Sequence, residues 1–491
     1  MHDMNAQDNN TLKALGYTAH FERNMSLWEN FALGFTYLSP VVGVYSVFAI
    51  GMTAAGPPMI WWYLIAALGQ MTVCLIFCEV VSQFPISGGL YPWCRRLVGR
   101  KWAWMAGWIY GWALFASIAA VSAGAAPFVA PLLGMRATPL SSGLVALALV
   151  FITTLINLSS TKLLGRVAMF GFVCEIIGAL VVGTFLLVFH RHQPFNIVFH
   201  TAGHGAKGHY STAFLSAAIV GLFTCYGFEA CGDVAEETPN PSVAIPRAMK
   251  STIYIGMSAS IFVCLALILS VPDIGAVVSG QSSNLIENIL SDAFGTLGTK
   301  LVVLVVLVSF LSCILSLQAA ASRLLHAYAR DGMIVASPWL GRVSDKHRIP
   351  ANALLLSGII AAGILIAGIF FSNTVGTIVS FAVVGIYAGF QMVVIGALFA
   401  RRCGWKANGS FQLGYWAWPV NILALLWGIA AIAQMLRPSG DGASWYVSWA
   451  MALIFLAVIL CGAAYMLVFR PYTSSTAPAG DAWKLMPTDK K

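Results

Sequence analysis

Three groups of residues stand inside long apolar runs, where polar chemistry is costly. The stretch Phe223-Thr224-Cys225-Tyr226-Gly227-Phe228-Glu229-Ala230-Cys231-Gly232-Asp233 holds two carboxylates four residues apart and two glycines. Glu175 sits alone in Phe172-Val173-Cys174-Glu175-Ile176-Ile177-Gly178. The run Ser39-Pro40-Val41-Val42-Gly43 places a residue without an N–H next to a flexible glycine. Ionisable groups in apolar surroundings pair with one another or serve ions, protons and substrates. The chemistry they suit is reversible binding and proton or cation exchange. Bond-breaking chemistry would want a metal motif such as H-E-x-x-H, a P-loop, or a nucleophile with its base, and the sequence contains none of these patterns. No metal ligand set or cofactor motif is expected.

The elements that position these residues follow from composition. Of the 491 residues, 59% are hydrophobic and 9% charged, with a mean hydropathy of +0.81. A soluble domain carries roughly 25% charged residues, so a lipid bilayer is the solvent that fits. Apolar stretches long enough to span fall near 30–53, 60–83, 104–130, 142–160, 167–190, 211–235, 249–271, 300–323, 351–371, 374–400, 417–436 and 444–469. The expected fold is an all-α polytopic membrane protein of twelve transmembrane helices. It has one membrane domain over 30–469, between short tails at 1–29 and 470–491.

The net charge of +9 does not point to nucleic acid, because the basic residues gather in short loops. With the N-terminus inside, twenty-two Lys and Arg fall on the inner side. Only Arg136, Arg191, Lys207, Lys300 and Arg437 fall outside. This asymmetry sets the orientation, with both termini cytoplasmic. The first residues lack the pattern of a signal peptide.

Pro40 and Gly43 favour a break in the first span, and Gly227 and Gly232 one in the sixth. If the first ten helices form two inverted five-helix repeats, these spans occupy corresponding places. Paired interruptions of that kind mark a transporter binding site. Broken ends offer N–H groups to a carboxylate and carbonyls to a cation. Glu175 can take up a proton or face an amine, and Glu229 is the better of the sixth-span carboxylates for the same work. Asp233 should face the inner vestibule. Glu79 can snorkel or pair with a loop arginine, and Glu236 and Glu237 should cap or gate the inner surface, with Arg323 or Arg330 as partners.

Three ordered motifs carry a family resemblance. They are Phe84-Pro85-Ile86-Ser87-Gly88-Gly89-Leu90-Tyr91-Pro92-Trp93; Gly232-Asp233-Val234-Ala235-Glu236-Glu237-Thr238-Pro239-Asn240-Pro241; and Ser322-Arg323 followed by Ala329-Arg330-Asp331-Gly332. The chain resembles the amino acid–polyamine–organocation superfamily of permeases, nearest its amino acid/choline branch. The resemblance implies a LeuT-like fold of 5+5 inverted repeats with two helices appended. It implies alternating access around a central site, and the branch includes carriers of γ-aminobutyrate, choline and ethanolamine. The expected function is a secondary active transporter that imports a small amino acid or amine, driven by protons; the rivals are a sodium symporter or an exchanger and, outside transport, a polytopic membrane enzyme or a nutrient sensor. Substrate would lie against Ser39, Pro40, Val41, Val42 and Gly43 and against Gly227, Phe228 and Glu229, with Phe223 as an aromatic lid. Some relatives place a lysine near Glu175, so a carboxylate there favours proton coupling. Ser312 and Ser316, one turn apart, are compatible with the sodium site of other relatives.

Other features read as structural. The ten cysteines lie mostly in apolar segments, and Cys74 and Cys78 share a helix face. Trp104, Trp108 and Trp112 form a packing stripe, with Trp108 the one suited to cation–π contact. His190, His192, His200, His204 and His209 share one outside loop, read as a solvated loop rather than a metal site.

Overall fold

Ser26 starts the first membrane helix. Its hydroxyl accepts from the Glu29 N–H at 3.3 Å, and the Glu29 carboxylate accepts from the Ser26 N–H at 2.8 Å. This reciprocal cap satisfies two donors that a helix start leaves unpaired. Thr138, before Pro139, opens another helix with the same reciprocal cap, and Ser160, before Thr161, caps a third by accepting from the Leu163 N–H.

The computed structural model describes residues 2–132, 134–135, 138–203, 209–280, 285–344, 348–369, 374–438 and 444–484. Arg136, His204, Lys207, Lys346, Lys490 and Lys491 lie outside them, as do the last two residues of the 351–371 stretch. Among the described residues there is no β-strand. A short α1 (His2–Ala14) precedes α2 (Leu27–Leu38), α3 (Pro40–Ala55), α4 (Trp61–Gln83), α5 (Leu90–Leu97) and α6 (Arg100–Leu132). Then come α7 (Pro139–Asn157), α8 (Thr161–Phe189), α9 (Tyr210–Ser216), α10 (Ala218–Thr224), α11 (Ala230–Asp233) and α12 (Pro241–Leu269). The remainder is α13 (Ile274–Val278), α14 (Leu285–Arg330), α15 (Ser337–Leu340), α16 (Ala351–Ile369), α17 (Thr374–Arg402), α18 (Ala417–Met435), α19 (Trp445–Ser448), α20 (Ala450–Phe469) and α21 (Pro471–Ser474).

Eleven segments among the described residues are long and apolar enough to cross a bilayer, against the twelve expected. The shortfall falls at 211–235. There the sequence reads as one span, but the chain forms a 15-residue apolar piece, Tyr210–Thr224, then unwinds and re-forms only the single turn of α11. The unwound part contains Gly227, at φ 110°, and Glu229, while Gly232 and Asp233 lie within the turn of α11. The first span is also broken, at Ser39, between α2 and α3.

Burial separates centre from rim. In α6 the most apolar window is 78% buried, whereas in α20 it is 6%, so α20 lies on the rim with its side chains left for lipid. The interrupted pair sits at the centre, where α2 packs on α8, α12 and α14, and α10 packs on α3, α4 and α17. Small residues let these helices close up. A Cβ on Gly34 would come within 2.6 Å of Cys231 Sγ, and one on Gly43 within 2.6 Å of Thr224.

Candidate functional site

At the first break, Ser39 takes φ 42° and ψ 94°. A non-glycine residue in that region costs on the order of 1–3 kcal/mol and must be held by its surroundings. Glu175, fully buried on α8, does the holding. One of its oxygens, Oε1, accepts from the Ser39 hydroxyl at 2.7 Å and from the Val41 N–H at 2.8 Å. The Ser39 hydroxyl in turn accepts from the Val42 N–H at 3.2 Å. Pro40 supplies the first residue of α3, where its missing N–H costs nothing. A carboxylate therefore caps the N-terminus of α3 from a neighbouring helix, with the sign the helix dipole favours. Its second oxygen, Oε2, is buried without a hydrogen-bond partner.

At the second break, Gly227 has φ 110°. A Cβ there would also come within 2.6 Å of the Leu38 backbone nitrogen. Glycine is thus required twice, by conformation and by the approach of α2. Glu229, fully buried, folds back so that Oε2 accepts from the Gly227 N–H at 2.8 Å, while Oε1 accepts from the Tyr110 hydroxyl of α6 at 3.2 Å. Two further buried hydroxyls stand close by, Tyr37 beside Tyr110 and Glu229 and Tyr387 beside Gln70, and among the described residues neither makes a hydrogen bond of good geometry. Tyr226 packs edge-on against Tyr37 and against Phe223, each at 5.9 Å. Around Glu229 the protein thus gathers hydroxyls and aromatic edges. Buried polar atoms without partners are rare enough to mark a place for a ligand or water.

The residues singled out from the sequence do not all converge. Ser39, Gly43, Gly227 and Glu229 lie at the two breaks. Phe223 reaches them through Tyr226. Val42 enters through its N–H, whereas the Val41 side chain lines an apolar crevice with Tyr45, Ala179, Val182, Val263 and Val306. Phe228 is turned away, packed on Phe77 and Phe390. Ser316 exchanges a hydrogen bond with Thr36 of α2 at 2.8 Å, beside the first break. Ser312 faces Gly171 of α8 so closely that a Cβ there would lie 2.0 Å from its hydroxyl. Between them, Cys313 donates to the freed Tyr37 carbonyl at 3.3 Å. Trp108 lies elsewhere: its indole donates to the Val458 carbonyl of α20. Tyr110 and Tyr37, which sequence reasoning did not single out, take the positions next to Glu229. Their signal was weak, since a tyrosine in an apolar helix is common.

The arginine-rich end is closed by ion pairs. Arg323 grips Glu237 through two bonds of 2.9 and 3.0 Å, and Arg330 meets Glu236 at 2.7 Å. Glu236 also accepts from the Ser87 N–H, and the Ser87 hydroxyl from the Glu236 N–H. Asp331 accepts from Tyr91 and Tyr17 and lies 3.6 Å from Arg95. Burial, and next the Asp331 carboxylate, push the Tyr17 hydroxyl well above its ordinary range, so it stays a donor. Arg95 donates to Ser475 and to the carbonyls of Ala477 and Pro478, so the C-terminal segment is part of the closure. Glu79 pairs with Arg401, as expected of it. Asp233 is fully buried between Gly89 and the second break, and among the described residues neither of its oxygens has a hydrogen-bond partner.

The chain is similar to known proteins along most of its length. A family model described as amino acid permease matches residues 25–460. The chain is 26% identical over 444 residues to the amino-acid permease BAT1 of Arabidopsis thaliana, covering 85% of this chain and 86% of that one. It is 26% identical over 465 residues to an uncharacterized amino-acid permease of Schizosaccharomyces pombe, covering 90% and 82%. Among solved structures, a variant manganese transporter of Eremococcus coleocola superposes with a TM-score of 0.60 at 12% identity, over 91% of this chain and 94% of that one. At that identity the likeness is one of fold, the LeuT-like arrangement of inverted repeats. With the family model matching nearly the whole membrane domain, the chain belongs to the amino acid permease family and is a multi-pass membrane transporter.

Proposed function

We propose that this chain is a secondary active transporter that imports a small amino acid or amine by alternating access, driven by protons. The observation that carries this reading is the second break, where the carboxylate of Glu229 is fully buried and meets the Tyr110 hydroxyl, with the Tyr37 hydroxyl beside it. An ammonium group bound there would meet a carboxylate and the tyrosine oxygens next to it. Val42, Gly43, Gly227 and the backbone of Phe228 would line the same space, with Phe223 closing it. γ-Aminobutyrate, ethanolamine and choline are the substrates to try first, beside ordinary amino acids.

Glu175 is the proton site in this reading. Its ionised carboxylate makes charge-assisted bonds to Ser39 and Val41, which are roughly twice as strong as neutral ones. Taking up a proton weakens that grip and frees α3 from α8; releasing the proton restores it. Protonation is thereby tied to movement of the first break. The protein would lie in the cell membrane with both termini cytoplasmic, as the charge asymmetry favours. Sodium coupling is the competing reading, favoured by the Thr36–Ser316 pair beside the freed carbonyls of α2.

Uptake of labelled candidates into proteoliposomes under imposed gradients tests the proposal. Accumulation should require an inward proton gradient and survive replacement of sodium by potassium. Dependence on sodium alone would transfer the driving role to the competing site. No accumulation of any candidate would remove the import reading.

A further inference from the structure

At the end of the bundle opposite the ion-pair closure, two histidines converge on one carboxylate. His190 caps the C-terminus of α8, and His192 follows two residues later. Asp292 comes from the first part of α14, before the chain kinks at Gly295. The Nε2 atoms of His190 and His192 lie 3.1 and 3.6 Å from the same atom, Asp292 Oδ2. All three ligand atoms fall within 4.8 Å of one another.

These separations have a meaning. Zinc binds imidazole nitrogen and carboxylate oxygen at about 2.0–2.2 Å, and in a tetrahedron neighbouring ligand atoms then stand roughly 3.4 Å apart. A single imidazole would suffice for an ordinary ion pair. Here two rings, with centroids 4.9 Å apart, bring the same nitrogen close to one oxygen. With their protons on Nδ1, both rings would keep the Nε2 lone pair free for a metal ion. The backbone is also held in place. The His192 and Gln193 N–H groups donate to the Leu269 carbonyl at 2.8 and 3.0 Å, and the Gln193 side chain donates to Val271. Beneath the cluster, Phe185 stacks on Phe294 with centroids 4.5 Å apart, fixing α8 against the start of α14. His190 Nε2 is itself buried, whereas the His192 and Asp292 side chains are open to solvent, which gives an ion its approach and water a place in its coordination.

We propose that His190, His192 and Asp292 bind one divalent transition-metal ion, with Zn2+ the best match to a two-nitrogen, one-oxygen set open to water. The ion would fasten the end of α8 to the segment ahead of Gly295. Because α8 also carries Glu175, the ion would restrain the helix to which proton coupling is assigned above; that consequence rests on the proposed function, whereas the binding does not.

The test uses the full chain in lipid nanodiscs, titrated calorimetrically with Zn2+ in the presence of a competing chelator, and separately with Co2+ followed by visible absorption. One equivalent of Zn2+ should bind, and Co2+ should give the intense visible bands of a four-coordinate ion. His192→Gln, on the most exposed of the two rings, and Asp292→Asn should each weaken binding about tenfold or more. Equal affinity in the wild-type protein and in both variants would overturn the site, as would a weak six-coordinate cobalt spectrum. Saturating Zn2+ should slow uptake by the wild-type protein and spare the His192→Gln variant. Uptake unaffected by bound zinc would remove the restraint on α8 while leaving the site.

Discussion

The two broken helices solve one problem in different ways. Each frees backbone groups at the centre of the bundle, and each uses a glutamate to satisfy them. At the second break the glutamate is local: Glu229 reaches back two residues to the Gly227 N–H. At the first break it is borrowed: Glu175 arrives from α8, 134 residues away from the Val41 N–H it binds. A local cap moves with its own helix and can keep its shape throughout a cycle. A borrowed cap is a joint between two helices, and its strength depends on the charge of one carboxyl group. In the proposed function the second break accordingly recognises the substrate and the first senses the proton.

The largest effect should come from removing the freedom of the second break. Gly227→Ala adds a Cβ at a positive φ and against the Leu38 backbone, at a cost of about 3 kcal/mol or more. Thermal unfolding of the purified protein should fall sharply and uptake should vanish. A variant of unchanged stability would mean that the break is not the fixed element supposed here. Next, Glu175→Gln keeps the size of the cap and its accepting oxygen while removing the charge. Gradient-driven uptake should be lost, with assembly in size-exclusion chromatography preserved; normal pH-driven uptake would take Glu175 out of the mechanism.

Glu229→Gln should instead weaken substrate binding, raising KM about tenfold or more while the residual transport stays pH-dependent. If the Glu175 and Glu229 variants fail in the same way, the division of labour between the breaks is wrong. Tyr110→Phe deletes one donor to Glu229 and should cost about 1 kcal/mol in substrate affinity. Ser39→Ala should cost about 1 kcal/mol in stability. Equilibrium binding and thermal melts, respectively, read these two.

Much of this was legible in the residues. Pro40 and Gly227 announce breaks because their backbone chemistry is independent of context, whereas Gly43 and Gly232, read the same way, lie within the helical turns of α3 and α11. Glu236, Glu237, Arg323 and Arg330 were expected to pair, because unpaired charge at that depth is costly. What could not be read was rotation. In a helix such as α6, apolar on all sides, no periodicity says which face points inward. The tryptophan stripe drew attention to Trp108, which faces α20, whereas Tyr110 two residues on faces Glu229. Nor does any local signal say that Glu175 caps Val41, since that bond is a product of packing. The span count suffered for a related reason: hydropathy averages over an interruption, so 211–235 reads as continuous where the chain unwinds.

The borrowed cap has a consequence for biogenesis. When the first interrupted helix enters the membrane during synthesis, its break has no partner. Glu175 lies 136 residues beyond Ser39, a delay of roughly ten seconds at translation rates of about 5–20 residues per second. Through that interval Ser39 and the start of α3 must be held by lipid headgroups, water or the insertion machinery. The first helix can take its final shape only after the fifth has been made.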